Sequence, residues 1–93
     1  MIALMLAWFE SRVTAYSHTA RHDEPNIAVG SFYMVAAYIL NGSTVEIRVS
    51  TDNGYTWDYV RSIAWGNCTR VADPVVDEDP TVPDRFYLTA LAD

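Results

Sequence analysis

Residues 32–40, F-Y-M-V-A-A-Y-I-L, form an unbroken apolar run rich in aromatic and branched side chains. Its length and its flanking turn signals predict a strand buried on both faces, although the absence of a period leaves a buried helix open. Asn41-Gly42 follows at once, the strongest short hairpin signal. Val45, Ile47 and Val49 then alternate with Glu46 and Arg48, which predicts a strand with one apolar and one polar face. The octapeptide S-T-D-N-G-Y-T-W at 50–57 reads as a second turn, and W-D-Y-V-R-S-I-A-W at 57–65 as a further strand. Upstream, Pro25 and Asn26 precede a short apolar piece, residues 27–29, which Gly30-Ser31 separates from the long run. The pattern over 23–65 predicts four strands joined by short turns, an antiparallel meander.

The chain also repeats itself. D-E-P-N-I-A-V-G followed by S-F-Y-M-V-A-A-Y is similar to D-P-V-V-D-E followed by R-F-Y-L-T-A-L-A. Pro25 to Pro74 is 49 residues and Phe32 to Phe86 is 54, so the second copy is expected to carry about five extra residues in the loop D-E-D-P-T-V-P-D. The N-terminal L-M-L-A-W-F-E-S reads as a third copy of the same strand, with Ala7-Trp8 against Ala37-Tyr38. Only 15 residues separate Trp8 from Asp23, against 35 from Tyr38 to Asp73, so this copy lacks room for a full unit. A period of roughly 40–50 residues with four strands per unit points to propeller blades. The expected all-β organisation is a single β module over 1–93. It comprises a partial blade at 1–22, a complete blade at 23–66 and the start of the next at 67–93.

Five residues of the octapeptide each have a part in closing a turn. Gly54 supplies a positive φ without a Cβ clash. The short carboxylate of Asp52 is placed to accept turn N–H groups, and the hydroxyls of Ser50 and Thr56 to satisfy others. Trp57 covers the base of the hairpin while its single N–H finds an acceptor. The stretch resembles the Asp-box, Ser/Thr-x-Asp-x-Gly-x-Thr-Trp, of the sialidase-like (BNR-repeat) β-propellers. Ser50, Asp52, Gly54, Thr56 and Trp57 match it, between the third and fourth strands of the expected blade, where that family carries it.

The resemblance, which takes in the Asp-Pro openings and covers roughly residues 22 to 93, implies a propeller of six to eight blades. Such a protein is often a secreted or cell-surface glycoside hydrolase of the exo-α-sialidase kind. It also implies that the box lies on the blade periphery, away from the central pocket, and that it marks the fold more than the reaction. A sialidase-like site would need an arginine triad, a Tyr nucleophile with a Glu partner, and an Asp acid/base. The sequence has no Arg-Ile-Pro motif and assigns no Tyr–Glu pair, so no catalytic residue is carried over.

Composition narrows the partners. Of 93 residues, 51% are hydrophobic, more apolar surface than so short a chain easily hides, so a partner or a remainder of a larger array is expected. A net charge of −6 and a pI near 4.6 argue against nucleic acid. The six basic residues are all Arg, at 12, 21, 48, 61, 70 and 85. Their forks suit carboxylates, which makes an acidic-sugar site one reading and a compositional bias the other. The apolar opening M-I-A-L-M-L-A-W-F is too short to span a bilayer and has no basic segment before it, so it reads as a buried strand rather than a signal peptide. Cys68 stands alone, which excludes an internal disulfide.

The remaining candidates are weaker patterns. His18 and His22 would share a face only on a helix, which Pro25 and the Ser/Thr-rich lead-in oppose. Asp73, Asp77, Glu78, Asp79 and Asp84 offer hard oxygen ligands, Asp77, Asp79 and Asp84 foremost. Their spacing is not that of an EF-hand, and calcium is the one cofactor they suggest. Asn41-Gly42-Ser43 and Asn67-Cys68-Thr69 are N-glycosylation sequons, both at expected turns. Twelve acidic residues single out no catalytic carboxylate pair, and no nucleophile elbow places a Ser-His-Asp set. Three functional expectations follow: a segment of a glycan-processing propeller, inactive by itself; a non-catalytic glycan- or protein-binding propeller module; or a self-assembling structural β module associating through blade edges and faces.

Overall fold

The computed structural model describes residue 13 and residues 21–93. The expected strand at residues 1–9, and with it Arg12 and His18, lies outside the described residues. The rest is all-β: β1 (His22–Val29), β2 (Met34–Leu40), β3 (Thr44–Ser50), β4 (Asp58–Ile63), β5 (Val71–Glu78) and β6 (Phe86–Ala92). The first four form one antiparallel sheet in the order β1-β2-β3-β4, and β5 pairs with β6 in a second. The described residues contain no helix, hence none long and apolar enough to cross a membrane.

The turn chemistry sets the meander. Asn41 and Gly42 both hold positive φ, 53° and 77°, and Ser43 N–H donates to the Leu40 carbonyl at 3.3 Å, which folds β3 back on β2. Val35, Ala37 and Ile39 of β2 and Val45 of β3 point into one core, which Ala28 completes from β1 and Val71 and Val76 from β5. Val45 is fully buried, a contribution of roughly 1.5–3 kcal/mol from the hydrophobic effect. On the opposite face of β2, Ala36 and Tyr38 are buried as well. The doubly apolar pattern of this strand therefore reflects burial on both sides.

The internal repeat is a repeat of hydrogen-bond register. In the first hairpin His22 opposes Leu40, Asn26 opposes Ala37, Ile27 opposes Ala36 and Val29 opposes Met34. In the second, Val71 opposes Ala92, Val75 opposes Thr89, Val76 opposes Leu88 and Glu78 opposes Phe86. Every β5 residue lies 49 positions after its β1 counterpart, and every β6 residue 52 after its β2 counterpart. The register breaks at the same place, between Asp23 and Asn26 and between Ala72 and Val75. The residue before the proline at each break, Glu24 or Asp73, holds a positive φ of 52° or 51°. Proline has no N–H to give to a ladder and fits where the ladder is interrupted.

One expectation is corrected. Aligning the two Phe-Tyr pairs implied five extra loop residues, but pairing puts Phe86 opposite Glu78 as Met34 is opposite Val29. The second connection (79–85) is longer than the first (30–33) by three residues, so Phe32 and Phe86 are not equivalent. Phe32 is an exposed loop residue, whereas Phe86 packs at the core margin.

Because the side-chain period of a strand is two, equal register means equal facing. The first sheet turns its Ala28, Val35, Ala37 and Ile39 face toward the second. The second sheet meets it with Val71, Val76, Leu88 and Ala90, the counterparts of residues on the opposite face of the first. The two units therefore stack front to back. Polar contacts fix the stacking: Glu24 Oε2 accepts the Asp73 N–H and Asn26 Oδ1 the Val76 N–H, each at 2.8 Å. Asp84 Oδ1 accepts the N–H groups of Phe32 and Tyr33 at 3.1 and 3.3 Å. Gly30 lies against this last contact, where a Cβ would stand 2.2 Å from Asp84 Oδ1.

Candidate functional site

The octapeptide links β3 to β4, and its geometry is that of a lock. Asn53 and Gly54 hold φ of 60° and 88°, a region that glycine and, less freely, asparagine accept. Ser50, 1% exposed, accepts the Gly54 N–H on Oγ at 2.8 Å and donates to Asp52 Oδ1 at 2.8 Å. The same Asp52 oxygen accepts the Thr56 N–H at 2.8 Å, while Oδ2 accepts the Thr56 hydroxyl. The Trp57 indole N–H donates to the Gly54 carbonyl at 3.1 Å. A Cβ on Gly54 would lie 3.5 Å from Met34 Sδ and 3.8 Å from Trp57 Cζ2, so the glycine sits between those side chains. The Thr56 hydroxyl and amide, then Ser50, hold the Asp52 carboxyl down to about 2. All five residues of the motif thus come together, and each hydrogen bond among them closes the turn.

The acidic residues of the last loop act in the same manner. Asp79 Oδ1 accepts the N–H and hydroxyl of Thr81 at 2.8 and 2.7 Å, and Oδ2 accepts the Tyr87 hydroxyl at 2.9 Å. The Thr81 amide and hydroxyl, then Tyr87, hold its carboxyl down to about 2. Asp84 bonds the turn of the other unit, and Glu78 Oε2 accepts the Asp84 N–H at 3.0 Å. Asp77 is exposed on β5, and Asp73 stands at the register break. The carboxylates of Glu78, Asp79 and Asp84 are directed at amides and hydroxyls. Among the described residues no three or more His, Cys, Asp or Glu side chains are grouped to hold a metal ion.

A polar cluster that the sequence reading missed lies across the other face of the first sheet. Tyr38 donates its hydroxyl to Glu46 Oε2, directly opposite on β3, and accepts from Arg48 Nε at 3.1 Å. The His22 ring stands edge-on to Tyr38 at 5.2 Å, and the Arg48 guanidinium lies 5.7 Å from the Tyr59 ring centre. The signal was present, since the Asn41-Gly42 turn sets Tyr38 opposite Glu46. It needed the exact register to be read. With Tyr38 and Glu46 buried, the cluster satisfies polar groups inside the fold.

Among the described residues the arginines do not assemble into a carboxylate clamp. Arg21 and Arg70 line an open cleft of ≈ 390 Å³ with Asp23, Glu24, Ile39 and Val71. Arg21 is already paired with Asp23 at 2.6 Å, and Arg70 with Asp93. Asn41 is exposed at its turn and accepts the Arg21 N–H on Oδ1 at 2.9 Å, while Asn67 is exposed on the β4–β5 connection. No family model, curated protein or solved structure matches the chain.

Proposed function

We propose that this chain is a structural segment of a propeller-type array of the Asp-box kind, associated with glycan processing and not catalytic by itself. The observation that carries the reading is the register-for-register repeat of the first hairpin in the second, with the two units stacked front to back. Such stacking lets each unit bury an apolar face on its neighbour, as repeat architectures require. The Asp-box residues lock the hairpin on which such a unit ends. The side chains of Arg21, Glu24, Arg48, Asp52, Asp79 and Asp84 are engaged within the fold, which fits a scaffold better than a reaction centre. The glycan association rests on the motif resemblance.

The test is to express the coding sequence continuous with this chain and assay it beside the 93-residue chain. Further copies of Ser/Thr-x-Asp-x-Gly-x-Thr-Trp, with turnover of a fluorogenic sialoside by the longer protein and none by this chain, are expected. Further copies with glycan-array binding and no turnover would replace the reading with a non-catalytic binding propeller. No further copy would refute the array.

A further inference from the structure

Among the described residues the two sheets have four outer edges, on β1, β4, β5 and β6. Three of them are blunted. β1 carries Asp23, Glu24 and Pro25 at its register break, and β5 repeats this with Asp73 and Pro74. β4 carries Asp58 and Arg61 and pairs with β3 across a further break. Charge, proline and bulges are the devices by which a sheet edge turns away another strand. β6, F-Y-L-T-A-L-A, has neither charge nor proline, and the extra residue at its pairing break lies on β5. The ladder with β5 directs its backbone groups. Arg70 and Asp93 exchange both backbone hydrogen bonds, at 3.1 and 3.0 Å, and at the other end the Arg85 carbonyl accepts the Asp79 N–H at 2.7 Å. Along an antiparallel strand, residues bonded to one neighbour alternate with residues turned away from it. Tyr87, Thr89 and Leu91 therefore bond β5, while Phe86, Leu88 and Ala90 turn their N–H and C=O groups to the open edge.

We infer that the open edge of β6 accepts a third antiparallel strand, an extended segment with the alternating pattern of β3 and no net charge. The kind of strand rests on the array reading above, and the edge itself on the ladder geometry. β6 repeats β2 at an offset of 52 residues, and β2 is paired along this same edge by β3. The repeat holds to the end of the hairpin: the Asn41 N–H donates to the Arg21 carbonyl at 2.8 Å as Asp93 does to Arg70. Carried over by that offset, Val49, Ile47 and Val45 of a β3-like strand stand opposite Tyr87, Thr89 and Leu91. Tyr87 and Leu91 are 54% and 64% exposed, whereas their counterparts Val35 and Ile39 are buried. Aromatic and branched side chains paired across an antiparallel ladder stabilise it. The other face of such a strand bears one glutamate and one arginine, so the net charge of −6 on this chain does not repel it.

A synthetic peptide of residues 43–51, S-T-V-E-I-R-V-S-T, carrying a fluorescent label and titrated with the 93-residue chain, tests this. Fluorescence anisotropy is expected to show saturable binding, and amide hydrogen exchange on the chain to slow at Leu88 and Ala90. Ala90→Pro removes one outward N–H, a place where an edge strand tolerates proline. It is expected to weaken binding about tenfold with unchanged circular dichroism. A second control leaves the chain untouched: the same peptide N-methylated at the positions of Glu46 and Arg48, which oppose Tyr38 and Ala36 in the first sheet, is expected not to bind. Binding that survives N-methylation, or exchange at Leu88 and Ala90 that the peptide leaves unchanged, would overturn the strand-accepting edge. Exchange at those amides that slows as the chain is concentrated without peptide would overturn the occupant and give the edge to a second copy. These outcomes are separable from the array reading, which stands or falls on further motif copies in the continuous coding sequence.

Discussion

Replacing Ser50 by alanine probes the turn lock at its least exposed point. The hydroxyl is 1% exposed, and it is the 2.8 Å acceptor of the Gly54 amide and the 2.8 Å donor to Asp52. Alanine fills nearly the same space but removes both functions, leaving a buried amide short of its acceptor. Depriving a buried donor in this way costs about 1–3 kcal/mol. In a chain of this size each kcal/mol moves Tm by roughly 4–8 °C, so Ser50→Ala should lower Tm by roughly 5–20 °C. Far-UV circular dichroism melts give the number. The near-UV signal of Trp57 should weaken too, since its indole is held on the carbonyl of the same glycine. Ser31→Ala is the control, because Ser31 is exposed and such changes stay within about 0.5 kcal/mol. A Ser50→Ala melt matching the Ser31→Ala melt would refute the lock.

Acid should weaken the fold in a defined window. The Asp52 and Asp79 carboxyls are both lowered from 3.8 to about 2. A folded pKa below the unfolded one contributes stability that is fully present above about pH 4 and lost as the pH falls through about 2. Tm is therefore expected to drop between those values, and more gently in an Asp52→Asn, Asp79→Asn double variant; equal slopes would contradict the assignment. Gly30→Ala should destabilise by about 1–3 kcal/mol through overpacking, since its Cβ would meet Asp84 Oδ1 at 2.2 Å and Glu78 Oε2 at 2.6 Å. An unchanged urea midpoint would show that the two units are not held together there.

Much of this protein is written in consecutive residues. Asn41-Gly42 sets its hairpin because both residues tolerate positive φ. Ser50, Asp52, Gly54, Thr56 and Trp57 meet because all lie within one turn, so their hydrogen bonds are nearly local properties of eight residues. The alternation of β3 and the doubly apolar β2 likewise follow from strand period and burial. Where long-range pairing decides, the sequence was silent or misleading. The Phe-Tyr pairs of the two copies look equivalent, yet the ladders make Phe86 the counterpart of Met34 and not of Phe32, because hydrogen bonding aligns backbones and not side-chain identities. Asp84, one of the calcium candidates in the sequence, holds the amides of Phe32 and Tyr33, some fifty residues away. Consecutive residues thus carry the strands from His22 onward, their turns and the existence of a repeat. Only the tertiary structure decided which carboxylate caps which distant amide and which face each unit turns to the next, because burial and pairing across sheets join residues that no local spacing relates.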